Sequence, residues 1–232
     1  MSTVQGSWRG YGIVRDGLVL YLDASSPNSY NSNFGPTTWK DISGNGNNGT
    51  LVNGPTFNSS NGGNLVFDGI DDYITRNISL PDNNITACVW VKNNNVSNTQ
   101  RIFSHGNFGL DVAGNNFSLQ IFNSTVRGIV GVLGSSQFVG NGTTINSNFW
   151  YNITLTLGGG KLTLYLNGDL KVNDSTNSTI GTSSYTLNIA TRANNTSEFF
   201  QGNIAQTSIY NRALSAQEVL QNYNATKTRF GL

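Results

Sequence analysis

The chain has 232 residues, 13 of them basic and 12 acidic, for a net charge of +1. A composition only 11% charged lacks the basic stripe of a nucleic-acid binder and the cationic patch that docks on an anionic membrane. One cysteine, Cys88, excludes an internal disulfide, and Cys88 with the single histidine, His105, supplies too few ligands for a zinc site.

Asparagine is in excess: 35 Asn, 24 Ser and 23 Thr make up 82 of the 232 residues. The surface is therefore solvated by amides and hydroxyls rather than by ions. Such a surface suits an extracellular setting, and an AT-rich genome would also write it. The 14 Asn-x-Ser/Thr sequons, Asn48 and Asn152 among them, follow from that composition. The first residues show no charged n-region followed by an apolar h-region, so no signal peptide is expected. No apolar run approaches the ~18 residues of a membrane helix. A protein without a secretion signal still reaches the outside of a cell when it leaves inside a particle such as a virion.

Residues 1–16 read as a polar arm with Trp8, Tyr11 and Ile13 as anchors. Gly17–Leu22 is a continuous apolar run, as in a buried strand. Ser25–Thr38 is a Ser/Asn/Pro-rich loop. Strands are then expected at Trp39–Ile42, Thr50–Val52, Leu65–Asp68, Tyr73–Thr75, Ala87–Lys92, Arg101–His105, Gly109–Val112, Phe117–Phe122, Ile129–Leu133 and Gln137–Val139. Cys88 falls inside one of them, as a small buried hydrophobe. The hairpin Trp150–Leu157, Gly158-Gly159-Gly160, Lys161–Asn167 follows, then Leu170–Val172, Leu187–Ala190 and Asn203–Tyr210. Leu162, Leu164 and Leu166 share one face of their strand, as do Ile153, Leu155 and Leu157, so the two strands define one core face. Short strands between turn signals at this density imply an all-β sandwich or barrel.

One helix is expected, Ala216–Asn224. Ser215-Ala216-Gln217-Glu218 is a capping box, and Val219, Leu220 and Tyr223 form its apolar face. Residues 17–225 read as one domain and 226–232 as a short tail.

An ordered set of segments resembles the laminin-G-like, concanavalin A-like lectin/glucanase family. It comprises Trp39-x-Asp41 with Ser43–Thr50, Phe67–Ile74, Trp90, Trp150 with its hairpin, and Tyr210–Ser215 before the helix. The resemblance runs from about Gly17 to Ala225. It implies a two-sheet antiparallel jelly-roll sandwich with one short C-terminal helix, and ligands in loops at one rim or on the concave face. Within the family, Arg9–Ala24 and the Asn-rich loop after Ser43 are similar to modules in virion proteins of tailed phages, marine ones especially. The function implied is a non-enzymatic protein of the virion surface, a capsid decoration or fibre. It would contact other virion proteins, form oligomers and attach to host or environmental glycans. The alternative is a stand-alone extracellular lectin of a bacterium.

Asp41-x-Ser43-x-Asn45-Gly46 has oxygen side chains spaced as in a calcium loop, which makes Asp41 and Asn45 the candidate metal ligands. The twelfth position is Val52 rather than Glu, so a tight loop bonding its own N–H groups is preferred, and no cofactor is required. Asp68, Asp71 and Asp72 form the densest acidic cluster, with Asp71 and Asp72 expected on opposite faces of a strand. Family members often carry an acidic pair where this chain has Ala205 and Gln206. Related glucanases need paired carboxylates on one strand, whereas the only glutamates here are Glu198 and Glu218. His105 lacks a nucleophile motif and reads as a strand-end residue bonded to a turn. Trp8, Trp39, Trp90 and Trp150, with Tyr30, Phe34 and Phe138, are the aromatics available to stack on sugars, and core packing is the default for Trp90 and Trp150.

Overall fold

The structure is a computed structural model that describes residues 12–31, 37–81, 83–106, 116–132, 135–139, 143–176, 184–192 and 197–232. The expected strand Gly109–Val112, most of the arm, Trp8, Tyr11 and Phe34 lie outside these residues.

In chain order the strands are Leu18–Asp23 (β1), Thr38–Trp39 (β2), Gly49–Val52 (β3), Thr56–Asn58 (β4), Asn64–Asp68 (β5), Tyr73–Ser79 (β6), Ile85–Asn93 (β7) and Gln100–Gly106 (β8). Asn116–Phe122 (β9), Thr125–Val132 (β10), Ser135–Val139 (β11), Trp150–Gly158 (β12), Lys161–Leu166 (β13), Asp169–Ser175 (β14), Ser184–Ile189 (β15) and Gln201–Tyr210 (β16) follow, then the helix Ala216–Thr226 (α1). They form two antiparallel sheets. The first has the order β14-β13-β12-β7-β16-β5-β4, with β1 also paired to β16. The second has the order β11-β10-β9-β8-β15-β6-β3-β2. The two-sheet antiparallel sandwich with one C-terminal helix is as expected.

Alternation builds the core. Val89 and Val91 of β7, Ile153 and Leu155 of β12, and Leu162 and Leu164 of β13 meet Ile74, Phe103, Phe117, Leu119 and Ile189 of the other sheet in one buried cluster. Each contributes on the order of 1.5–3 kcal/mol by leaving water. The two-residue β2 is shorter than the expected Trp39–Ile42, because Ile42 instead donates its N–H to the Tyr21 carbonyl (2.9 Å). β4, with all three residues exposed, carries no alternating signal and was not anticipated.

The outer face of the first sheet departs from the sequence reading. Thr163 and Tyr165 of β13 face away from the core, yet they are 8% and 7% exposed. A second cluster covers this face: Ile13, Val14 and Leu18 pack with Tyr21, Cys88, Tyr165, Tyr210, Leu214 and Val219. The capping box is formed, with the Glu218 N–H donating to the Ser215 hydroxyl (3.3 Å) and the Ser215 N–H donating to the Glu218 carboxylate (2.9 Å). The helix buries Val219 and Asn222, not Leu220 and Tyr223, which are more exposed. Asn222 bridges the chain ends: its Oδ1 accepts from the Val14 N–H (2.8 Å) and its Nδ2 donates to the Tyr210 hydroxyl (3.0 Å). The Tyr210 hydroxyl in turn donates to the Val14 carbonyl (3.1 Å).

Residues expected as a tail continue the domain. Phe230 stacks on Trp90 at a centroid separation of 4.0 Å, and Trp90 Nε1 donates to Thr226 (2.8 Å). Arg229 pairs with Asp23 (2.7 Å) and donates to the carbonyls of Asn61 and Gly63. No helix among the described residues is long and apolar enough to cross a membrane.

Candidate functional site: a rim of loops at the strand ends

Four strands of the first sheet run side by side in the order β12, β7, β16, β5. Register aligns Trp150 with Lys92, Asn93 with Gly202, and Gln201 with Asp68. The segments beyond these residues therefore meet at one end of the sandwich. Backbone bonds tie them together: the Asn148 N–H donates to the Asn93 carbonyl (2.7 Å), and the Asn94 N–H to the Gln201 carbonyl (3.0 Å). Asn53 Nδ2 donates to the Asp71 carbonyl (2.9 Å), which adds the β3–β4 turn. The approach of backbones demands glycine at Gly202, where φ is 155° and an added Cβ would lie 2.3 Å from the Lys92 carbonyl oxygen.

Gln100 organises this rim from beneath. Its side chain is buried, with the residue 3% exposed. Its Oε1 accepts from Asn93 Nδ2 (2.8 Å) and from the Gln201 N–H (2.8 Å), and its Nε2 donates to the Asn95 carbonyl (2.5 Å). Asn93 Oδ1 then accepts the Asn95 N–H (2.8 Å), and Asn95 Oδ1 the Ser97 N–H (3.0 Å). A buried, satisfied amide network of this kind holds a loop in one conformation. On top of it sit the exposed amides of Asn94, Asn148 and Gln201. The two most exposed large hydrophobic side chains among the described residues flank them: Ile70 at 72% and Phe149 at 61%.

The acidic cluster stands at the Ile70 end. Asp68, Asp71 and Asp72 bring one carboxylate oxygen each within 4.8 Å of the others. The expectation that Asp71 and Asp72 point apart fails, because residues 69–72 form the turn between β5 and β6 rather than a strand. Two of the carboxylates accept from the turn itself: Asp68 Oδ1 from the Ile70 N–H (2.8 Å) and Asp72 Oδ2 from the Asp68 N–H (3.1 Å). Burial pushes the Asp72 carboxyl up, the charges on Asp68 and Asp71 add to this, and the Asp68 N–H opposes it.

The candidate ligands Asp41 and Asn45 lie in a different loop. Four donors converge on Asp41: the N–H groups of Tyr21 (2.9 Å), Ser43 (2.8 Å) and Asn47 (2.9 Å) and the Ser43 hydroxyl (2.8 Å). Asn45 Nδ2 donates to the Leu18 carbonyl (3.0 Å) and to Ser43 (2.9 Å). Both side chains stitch the loop to β1. Glu198 pairs with Arg101 (2.5 Å) and Arg192 (3.6 Å), and Glu218 with Arg212 (2.6 Å). His105 is buried in β8, with Nε2 3.1 Å from the Ile78 carbonyl of β6 rather than against a turn. Trp39 and Trp90 are core residues, 0% and 1% exposed. Trp150 is half-buried between Phe230 (4.7 Å) and the Lys92 ammonium (5.6 Å). Tyr30 stacks on the exposed Phe57 at 5.2 Å. The side chain of Phe138 lies outside the described residues. Sequence reasoning missed Gln100, Ile70 and Phe149, which sit in or beside loops where no periodicity marks them.

The family described as Concanavalin A-like lectin/glucanases superfamily (Laminin_G_3) matches residues 67–220. The chain belongs to this superfamily. No curated protein matches this chain in sequence. Its fold is similar to the binding domain of Paraclostridial Mosquitocidal Protein 1, with a TM-score of 0.69 and 19% identity over 91% of this chain and 52% of that one. It is equally similar to the botulinum neurotoxin serotype D ligand binding domain solved with N-acetylneuraminic acid, at 0.69 and 19% over 91% and 51%. Domain 4 of AbnA, a GH43 extracellular arabinanase from Geobacillus stearothermophilus solved with arabinotriose, gives 0.66 and 17% over 89% of this chain and 98% of that one. The chain spans about half the length of the two toxin domains.

Proposed function

We propose that this superfamily domain is a non-catalytic glycan-binding module displayed on the surface of a virion. The observation that carries the non-catalytic reading is the placement of the acids: Asp68, Asp71 and Asp72 crowd within 4.8 Å of one another on one turn rather than across a cleft, and both glutamates are bound by arginines. Hydrolysis of a glycosidic bond needs one carboxylic acid held protonated and a second carboxylate across the sugar. Glu218 is bound by Arg212 and its helix cap, which hold its carboxyl down at about 2, and Glu198 is clasped by two guanidiniums. Glu218 therefore has no proton to give at neutral pH.

Glycan binding is supported by superfamily membership, by structural neighbours solved with sialic acid and with arabinotriose, and by a rim of exposed amides with two apolar side chains. The reading invokes no metal: the Asp41 carboxylate accepts from four N–H and O–H donors, and at the rim Asp68 and Asp72 accept from N–H groups of their own turn. The virion setting, with other virion proteins as partners, is supported by the similarity of Arg9–Ala24 and the Asn-rich loop after Ser43 to phage modules.

Two measurements test the proposal. A glycan array with and without calcium is expected to show calcium-independent binding, and no reducing sugar is expected from the bound glycans. Mass spectrometry of purified particles is expected to find the chain. Its absence there leaves the stand-alone lectin, and turnover of any bound glycan overturns the non-catalytic reading.

A further inference from the structure

Resting on the glycan reading, we infer that the rim takes a linear, uncharged oligosaccharide of about three units, laid across the strand ends with Phe149 stacking on one sugar and Ile70 packing against the far one. Phe149 immediately precedes β12, and Ile70 follows β5 by two residues. Between them lie three inter-strand steps, β12 to β7 to β16 to β5. At about 4.8 Å per step the ends of β12 and β5 that carry them are roughly 14–15 Å apart, about the length of three sugar rings end to end.

The chemistry between the two apolar ends is that of amides. Asn148, Asn94 and Gln201 are exposed along this path, and their backbones are bonded across the strand ends. Amides both donate and accept, which matches sugar hydroxyls without requiring charge. An aromatic ring gives the apolar face of a pyranose a flat partner. Three acidic side chains cluster at the Ile70 end: Asp68, Asp71 and Asp72. They would repel a uronate or sialate laid beside them, so the rim selects neutral sugars. The Gln100 network fixes the backbone around these amides, at Asn95 and Gln201, before the ligand arrives, which reduces the ordering cost of binding.

The test is titration calorimetry of the full chain with neutral arabino- and gluco-oligosaccharides of increasing length, and with oligogalacturonate as the charged comparison. The variants are Phe149→Ala and Ile70→Ser, with Phe57→Ala as an exposed aromatic elsewhere. All three positions are exposed, so the variants fold. Affinity is expected to rise up to about three or four units and then level off. Phe149→Ala should weaken binding about tenfold and Ile70→Ser severalfold, with Phe57→Ala unchanged. Affinity independent of length, a preference for oligogalacturonate, or unchanged binding by Phe149→Ala overturns the rim assignment while glycan binding stands. Loss of binding by Phe57→Ala alone moves the ligand to the Tyr30–Phe57 stack. Binding of no glycan at all refutes both this inference and the function on which it rests.

Discussion

Replacing Asn222 by leucine tests how the chain ends are held. Leucine keeps much of the side-chain volume and suits a helix, so neither a cavity nor propensity accounts for any loss. The substitution removes two buried hydrogen bonds, from the Val14 N–H and to the Tyr210 hydroxyl. Val14 is 8% exposed, so its N–H is left without water. An unsatisfied buried donor costs about 1–3 kcal/mol, and the second bond adds about 1 kcal/mol. The expected destabilisation is therefore about 2–4 kcal/mol, which for a chain of this size lowers Tm by roughly 5–15 °C. Urea denaturation followed by tryptophan fluorescence measures it, with the midpoint falling at unchanged slope. Hydrogen exchange should show the Val14 amide opening first. A loss below about 1 kcal/mol would refute the reasoning, and would mean that burial by Ile13, Leu18 and Val219 holds the segment without the asparagine.

Other outcomes follow from the same structure. Glu218, held down at about 2 by Arg212, contributes stability that is present above the unfolded carboxyl's range and is lost as pH falls through that folded value. Melting curves of Glu218→Gln should accordingly lack part of the acid-induced drop of the parent, and parallel curves would contradict this. Burial pushes the His105 imidazole down. The folded state thus resists a proton that the unfolded state accepts below about 6.5, so stability falls as pH drops below that value, and NMR titration should find the imidazole protonating at lower pH than in the unfolded chain. Gln100→Leu should preserve the fold yet reduce any glycan affinity several-fold, with faster amide exchange at Asn95 and Gln201. The Cys88 thiol, buried and pushed up by its surroundings, should react with a thiol reagent only at the rate of unfolding.

The elements legible in the sequence are those with strong local signals. The Trp150–Leu166 hairpin, β7 and β16 announce themselves by apolar content, alternation and glycine turns, and α1 by its capping box. The sandwich followed from their number and order. What stayed hidden depends on distant packing. Nothing in Lys161–Leu166 tells that Tyr165 is covered, because its cover is α1 and the residues before β1. Asn222 reads as a polar helix residue until its two partners, Val14 and Tyr210, are known. Phe230 looks like a loose end until it meets Trp90. At the rim, Gln100 is one glutamine before an apolar strand, and only the fold brings Asn93, Asn95 and Gln201 around it. Asp41 and Asn45 had the spacing of metal ligands, a spacing that also serves a loop bonding its own N–H groups.

The position of β16 has a consequence for how the chain is made. It joins β7 on one side to β1 and β5 on the other, yet it is the last of all the strands in chain order. During synthesis, β1, β5 and β7 leave the ribosome without their common neighbour, and the first sheet stays in three pieces until Gln201–Tyr210 has emerged. Such unpaired, apolar edges invite pairing with other chains. The nascent polypeptide therefore completes its fold late and in one closing step, and expression at lower temperature or with a holdase present should raise the soluble yield more than any stabilising change in the finished domain.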